Sequence, residues 1–203
     1  MKWFTPEWYD EVNSTNSLLT EKVLSGEFVE DGMVLAAYRQ KDGRGRLGRK
    51  WSSQPDRDLT FSFLLCGQNE FPKLASLPMA VSLGVVHFLK QYGIVAKTKW
   101  PNDVLVNNRK ICGVLAERVG KDTTVVGVGL NVNMDSVNVK AVGRPASSMY
   151  LETDDNYNLE VVLVELLESL NPWICHWRKA GFAALRGEWL QTCVYVGEKI
   201  KVG

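Results

Sequence analysis

An α+β fold, with a mixed, mainly antiparallel β-sheet and helices packed on one side, is predicted by three features of the chain. Apolar runs of strand length recur at residues 33–38, 59–65, 111–117 and 123–130. The later runs are joined by tight turns, and Asn107-Asn108 suits a hairpin because Asn tolerates positive φ. Two longer segments, 74–92 and 159–179, have helix length, and the first repeats Leu77, Val81, Val85 and Leu89 along one face. Successive strands flanked by such helices describe a two-layer domain.

In order along the chain, residues 8–12 form a short strand, and a helix over residues 17–24 follows with Ser14 or Thr15 as its N-cap. Gly26 ends that helix. After the strand at 33–38 comes a loop, Gly43-Arg44-Gly45-Arg46-Leu47-Gly48-Arg49-Lys50-Trp51, and then a stretch dense in turn formers up to Asp58. Gly84 inside the helix at 74–92 marks a place where another element packs close. Two short strands flank the Pro101-Asn102 turn. Residues 135–158 read as loop-rich, the helix at 159–179 is expected to break or restart near Pro172, and residues 193–202 read as one hairpin.

With 203 residues, 45% hydrophobic and 23% charged, the chain can bury one sizeable core and leaves room for a small appendage. A net charge of +1 argues against a general nucleic-acid binder, because the positive charge is local. No apolar run reaches membrane-spanning length, and the first residues do not resemble a signal peptide. The four cysteines are scattered without a CxxC pair, which reads as reduced, mostly core residues of a cytosolic protein.

The chemistry concentrates in a few blocks. Three glycines and four cations share the nine residues 43–51. Glycine lets backbone N–H groups approach a ligand, and arginine offers planar donor forks suited to carboxylate and phosphate. The letters Gly43-x-Gly45-x-x-Gly48 match a dinucleotide fingerprint, but that motif needs a helix to begin within it, and Trp51-Ser52-Ser53-Gln54-Pro55 does not begin one. A basic arm for RNA and a plain solvated loop are the other readings. Further cations stand at strand ends: Lys99 before Trp100, and Lys110 at a tight turn. Such a set suits a reaction that brings two anions together, for example a carboxylate attacking the α-phosphate of a nucleotide. Asp103 beside Asn102 adds a carboxylate for Mg²⁺ or a proton, unless it only caps the turn. The Ser14-Thr15-Asn16 cluster either caps its helix or lines a ligand pocket. His87 and His176 have no motif partners for triad chemistry, and neither GxxxxGK[ST] nor HExxH occurs.

Taken together, these blocks resemble the biotin–protein ligases. The matching stretches are Ser14-Thr15-Asn16; Gln40 with residues 43–51; Lys99-Trp100-Pro101-Asn102-Asp103; residues 109–117; and Gly127-Val128-Gly129-Leu130-Asn131-Val132-Asn133. The resemblance implies the ligase catalytic fold, akin to class II aminoacyl-tRNA synthetases, and a two-step reaction. Biotin and MgATP would give biotinyl-5′-AMP, which then acylates one lysine of a biotin carboxyl carrier protein or domain, as in acetyl-CoA carboxylase. Ser14, Thr15, Asn16, Gln40, Arg44, Gly45, Arg46, Lys110 and Gly113 would hold biotin. Arg44, Arg46, Arg49, Trp51, Lys99, Asn102 and Asn131 would hold ATP or the adenylate. Lys110, Arg46 and Asp103 would serve the chemistry, with Asp103 the metal-binding carboxylate.

The same resemblance sets expectations about organisation. Residues 1–188 would form the catalytic domain, and 189–203 a remnant or truncated start of a C-terminal SH3-like domain. Ser14 stands too near the first residue for a preceding helix-turn-helix, so no DNA partner and no membrane are expected, and the setting is cytoplasmic; a homodimer is compatible with the sequence. The alternatives are a lipoate or octanoate ligase of the same fold, and a non-catalytic biotin-binding sensor.

Overall fold

The computed structural model describes residues 1–67 and 74–199. Seven strands form one sheet: β1 (Glu7–Val12), β2 (Val34–Gln40), β3 (Asp58–Cys66), β4 (Lys97–Lys99), β5 (Asp103–Val106), β6 (Arg109–Val119) and β7 (Thr123–Asn131). Their order across the sheet is β1-β2-β3-β7-β6-β5-β4. Only β1 and β2 run parallel; every other neighbouring pair is antiparallel, as expected of a mixed, mainly antiparallel sheet. The hairpin between β5 and β6 turns at Asn107 and Asn108, both with positive φ (49° and 60°), which asparagine accommodates better than most residues.

Among the described residues six α-helices accompany the sheet: α1 (Thr15–Leu24), α2 (Leu77–Gln91), α3 (Ser136–Ala141), α4 (Met149–Thr153), α5 (Leu159–Ala180) and α6 (Arg186–Thr192). The two long ones, α2 and α5, cover one face. There Phe61, Phe63, Val126 and Val128 meet Leu83, Leu166, Leu170 and Trp177 in one fully or nearly fully buried core. The helices cross closely at Gly84, where an added Cβ would stand 2.9 Å from the Leu170 Cα, so the glycine serves the packing anticipated for it. On the other face α1 adds a smaller cover, with Leu19 against Leu35, Leu64 and Val125.

Three elements differ from the sequence reading. α5 runs unbroken through Pro172. A proline there forfeits one helical hydrogen bond, a cost of about 3 kcal/mol. Buried Leu166, Leu167 and Leu170 before it and Ile174 and Trp177 after it lie on one stripe packed against the core, and that burial holds both halves in line. The stretch 135–158 contains α3 and α4, too short to show periodicity but capped by Asp135, in a reciprocal box with Asn138, and by Ser148. The hairpin expected at 193–202 is instead a single bridge from Cys193 to Thr98 followed by turns, and its last residues lie outside the described ones. Residues 186–192, on both sides of position 188, form α6, whose Trp189 joins the main core.

All four cysteines are free thiols; Cys112 is fully buried, which pushes its thiol up to about 12, and Cys66, Cys175 and Cys193 are half-buried. Among the described residues no helix is long and apolar enough to cross a membrane.

Asp58, at the start of β3, is 1% exposed; its Oδ2 accepts from the Gln54 N–H at 2.7 Å, and its Oδ1 has no hydrogen-bond partner among the described residues. Burial pushes its carboxyl up to about 7 from an ordinary 3.8. The folded chain therefore binds more protons than the unfolded chain between those values, and stability falls as pH rises from about 4 to about 7. Asp58→Asn removes that term. Its melting temperature should match or exceed the parent's at pH 8, by the equivalent of about 2–4 kcal/mol, with the advantage vanishing near pH 4. Thermal melts of both proteins from pH 4 to 8 check this, and a variant less stable at pH 8 than at pH 5, relative to the parent, contradicts it.

Candidate active site

The antiparallel register assembles the site. Thr60 of β3 lies opposite Gly129 of β7, Gly129 opposite Gly113 of β6, and Gly113 opposite Asp103 of β5, giving one row across four strands. The next row on the same face is Ser62, Gly127 and Leu115, and the third is Leu64, Val125 and Glu117. Glycines at 113, 127 and 129 strip Cβ atoms from this floor, and the space is taken by side chains from outside the sheet. A Cβ on Gly129 would overlap the Trp51 indole, one on Gly127 would overlap Asn16 Oδ1, and one on Gly113 would stand 2.9 Å from both Lys110 Nζ and the Trp51 ring.

Over this floor lies a cleft whose two ends differ. At one end, β1 turns into α1 at Ser14, whose Oγ caps the helix by accepting from the Ser17 N–H at 3.4 Å. Thr15, Asn16 and Gln40 line the same end. Gln40 Oε1 accepts from the Thr15 N–H at 2.8 Å, and Ser62 Oγ donates to Asn16 Oδ1 at 2.6 Å while lying 2.7 Å from Thr15 Oγ1. Asn16 Nδ2 donates to Glu117 Oε2 at 2.7 Å. The cluster therefore caps its helix and also lines the cleft.

The other end is cationic. The loop at 43–51 folds back on itself: the Trp51 N–H donates to Gly43 O (2.8 Å), the Gly45 N–H to Arg49 O (2.7 Å), and Leu47 turns at φ 56°. It delivers Arg44, Arg46, Arg49 and Lys50 to the lining, joined by Lys110 and Arg144. Lys110 Nζ contacts Asp103 Oδ1 at 2.5 Å and sits 5.4 Å from the Trp51 ring centroid. Arg44 pairs with Glu117 at 2.6 Å, and Arg46 donates to Asn102 Oδ1 at 3.4 Å. Among the described residues Asp103 is the cleft's lining carboxylate, against six cations. Such a field favours anionic ligands and developing negative charge.

Of the residues singled out from sequence, Ser14, Thr15, Asn16, Gln40, Arg44, Gly45, Arg46, Arg49, Trp51, Asn102, Asp103, Lys110 and Gly113 come together in this one cleft. Lys99 and Asn131 do not line it. Lys99 is exposed on the three-residue β4. Asn131 is buried, and its Nδ2 donates to Ser147 O (2.8 Å) and Lys110 O (3.4 Å). It thereby fixes the 145–147 segment beside Lys110 and helps place Arg144. His87 and His176 line a separate groove between α2 and α5, away from the site.

Sequence reasoning did not single out Ser62, Glu117, Gly127, Gly129 or Arg144 as site residues. Ser62 and the paired glycines carried a signal, as a small polar residue and missing side chains within otherwise apolar strands. Arg144 carried none.

A model of the biotin/lipoate A/B protein ligase family matches residues 8–135, the span that builds nearly all of this cleft. The chain belongs to that family. The fold superimposes on the biotin protein ligase of Aquifex aeolicus, solved in complex with biotin and ATP, with a TM-score of 0.86 and 33% identity over 99% of this chain and 84% of that one. The chain is also 33% identical to the biotin–[acetyl-CoA-carboxylase] ligase of Paracoccus denitrificans, over 81% of this chain and 72% of that protein. Its match to the bifunctional ligase/repressor BirA of Bacillus spizizenii is 31% identical and spans 64% of this chain but 41% of that protein. Family membership and the fold are thus settled by sequence and superposition together.

Proposed function

We propose that this family member is an ATP-dependent biotin–protein ligase. It joins biotin to ATP as biotinyl-5′-AMP with release of pyrophosphate, and then passes biotin to one lysine of a biotin carboxyl carrier domain. The observation that carries this reading is the two-ended cleft. The end built from Ser14, Thr15, Asn16 and Gln40 offers hydroxyl and amide groups already held in a hydrogen-bonded array. A ureido ring presents two N–H donors and a carbonyl acceptor to such groups. A dithiolane or a plain alkyl chain would leave the remaining donor and acceptor capacity of these groups unmet, and sites built to hydrogen-bond a substrate reject analogues lacking those groups by about 10⁴-fold. The Aquifex relative, whose structure holds biotin and ATP, supports the same assignment.

At the cationic end, Arg44, Arg46 and Lys110 offset the repulsion between the attacking carboxylate and the α-phosphate, and stabilise charge on the phosphorus oxygens as the new C(O)–O–P bond forms and pyrophosphate leaves. In the second step the carrier's lysine amine attacks the acyl carbon, AMP departs, and the amine sheds a proton; Asp103, which lines the cleft, would assist. Mg²⁺ is held to one or two carboxylates plus nucleotide phosphates more often than in an all-protein cage. A lone Asp103 suits such an ion, which would screen the phosphate charge. The free thiols suit a cytosolic setting.

The test is transfer. With biotin, MgATP and a biotin carboxyl carrier domain, peptide mapping should find biotin on a single lysine of that domain, and no transfer when ATP is withheld. Binding of biotin without any transfer would move the assignment to a sensor.

A further inference from the structure

We propose that Glu117 is an internal counter-anion for Arg44: it occupies the guanidinium while the cleft is empty and is displaced from it by the carboxylate of the incoming acid. The idea rests on the biotin reading above and adds a positioning residue to it. Glu117 stands in the third row of the floor, beyond Leu115, and borders the outer side of the 43–51 loop, whereas Arg44 borders both that outer side and the cleft. The Glu117 carboxylate receives Arg44 at 2.6 Å and Asn16 Nδ2 at 2.7 Å on the same oxygen. One carboxylate thus ties together the two ends of the cleft: the hydrogen-bonding array through Asn16 and Ser62, and the cationic loop through Arg44.

The two contacts differ in what a ligand does to them. Asn16 is held in place by Ser62 and by the space above Gly127, so its bond to Glu117 is compatible with an occupied cleft. Arg44 is 41% exposed, sits on a loop between glycines 43 and 45, and can exchange one carboxylate for another. The other two acids near the loop and cleft are paired elsewhere, Asp42 with Lys50 and Asp103 with Lys110. Glu117 is therefore the group that competes directly with a ligand carboxylate for Arg44. Its charge lowers affinity for the free acid and leaves affinity for a neutral analogue unaffected.

Titration calorimetry with two ligands tests this: biotin, and biotinol, in which a neutral alcohol replaces the carboxylate. Glu117→Gln keeps an acceptor for Asn16 and removes the charge. It should tighten biotin binding about three- to fivefold, the size expected for a half-exposed pair, and leave biotinol within about twofold. Asp42→Asn removes an equal charge from the base of the same loop without touching Arg44, and should change biotin binding less than Glu117→Gln does. A parallel loss of both ligands in Glu117→Gln would make the residue merely structural and overturn the proposal, as would equal gains from Asp42→Asn. A parent protein that binds neither ligand would refute the biotin reading itself and the proposal with it.

Discussion

Replacing Lys110 by Ala should lower kcat for adenylate formation by about 100- to 1,000-fold while changing biotin affinity far less. The Lys110 side chain is 15% exposed, with its Nζ in contact with Asp103 and near the Trp51 ring. A cation so placed gains most where charge develops, on the reacting phosphate in the transition state. Its removal has a second consequence, because Asp103 then faces the incoming anions without its partner and repels them. The first effect falls on the chemical step and the second, smaller one on binding. Single-turnover measurement of pyrophosphate release, alongside calorimetric biotin affinity, separates them. Normal kcat with a raised KM would make Lys110 a binding residue and would assign the transition-state charge to the loop arginines.

Gly127→Ala should leave the fold intact and weaken biotin binding by about 100-fold, the equivalent of about 3 kcal/mol. Within a strand, Ala is favoured over Gly by about 0.5–1 kcal/mol, so the sheet itself loses nothing. The new Cβ would overlap Asn16 Oδ1. Asn16 must then move, giving up Ser62 on one side and Glu117 on the other, and each buried polar group left unpaired costs about 1–3 kcal/mol. Melting temperature and biotin affinity measured on the same preparation distinguish this from simple unfolding. An unchanged affinity would show that Asn16 does not need its present position.

These two residues also show which parts of the site could be read in the chain and which could not. Lys110, Asp103 and the arginine loop stand in compact local blocks, so their chemistry is visible before any folding is known. The sheet order was partly visible too, because the turn at Asn107-Asn108 and the alternating apolar runs dictate antiparallel neighbours. Gly127 and Ser62 are different. Their meaning depends on register, since a shift of one residue would turn both away from the cleft. Glu117 needs the same register plus the position of a loop some seventy residues earlier. Arg144 reaches the cleft only because the 145–147 segment pairs with Lys110, a contact with no local sequence signature. Pro172 erred in the opposite sense, since a strong local signal was outweighed by burial on both sides of it.

The most direct test of the two-ended cleft is a competition. Parent protein is incubated with MgATP and equal concentrations of biotin, lipoate and octanoate, with no carrier present, and the acyl-adenylates are identified by mass spectrometry. If the hydrogen-bonding end built from Ser14, Thr15, Asn16 and Gln40 selects a ureido ring, biotinyl-5′-AMP should be the dominant adenylate by orders of magnitude. Lipoyl- or octanoyl-adenylate in equal or greater amount would contradict it.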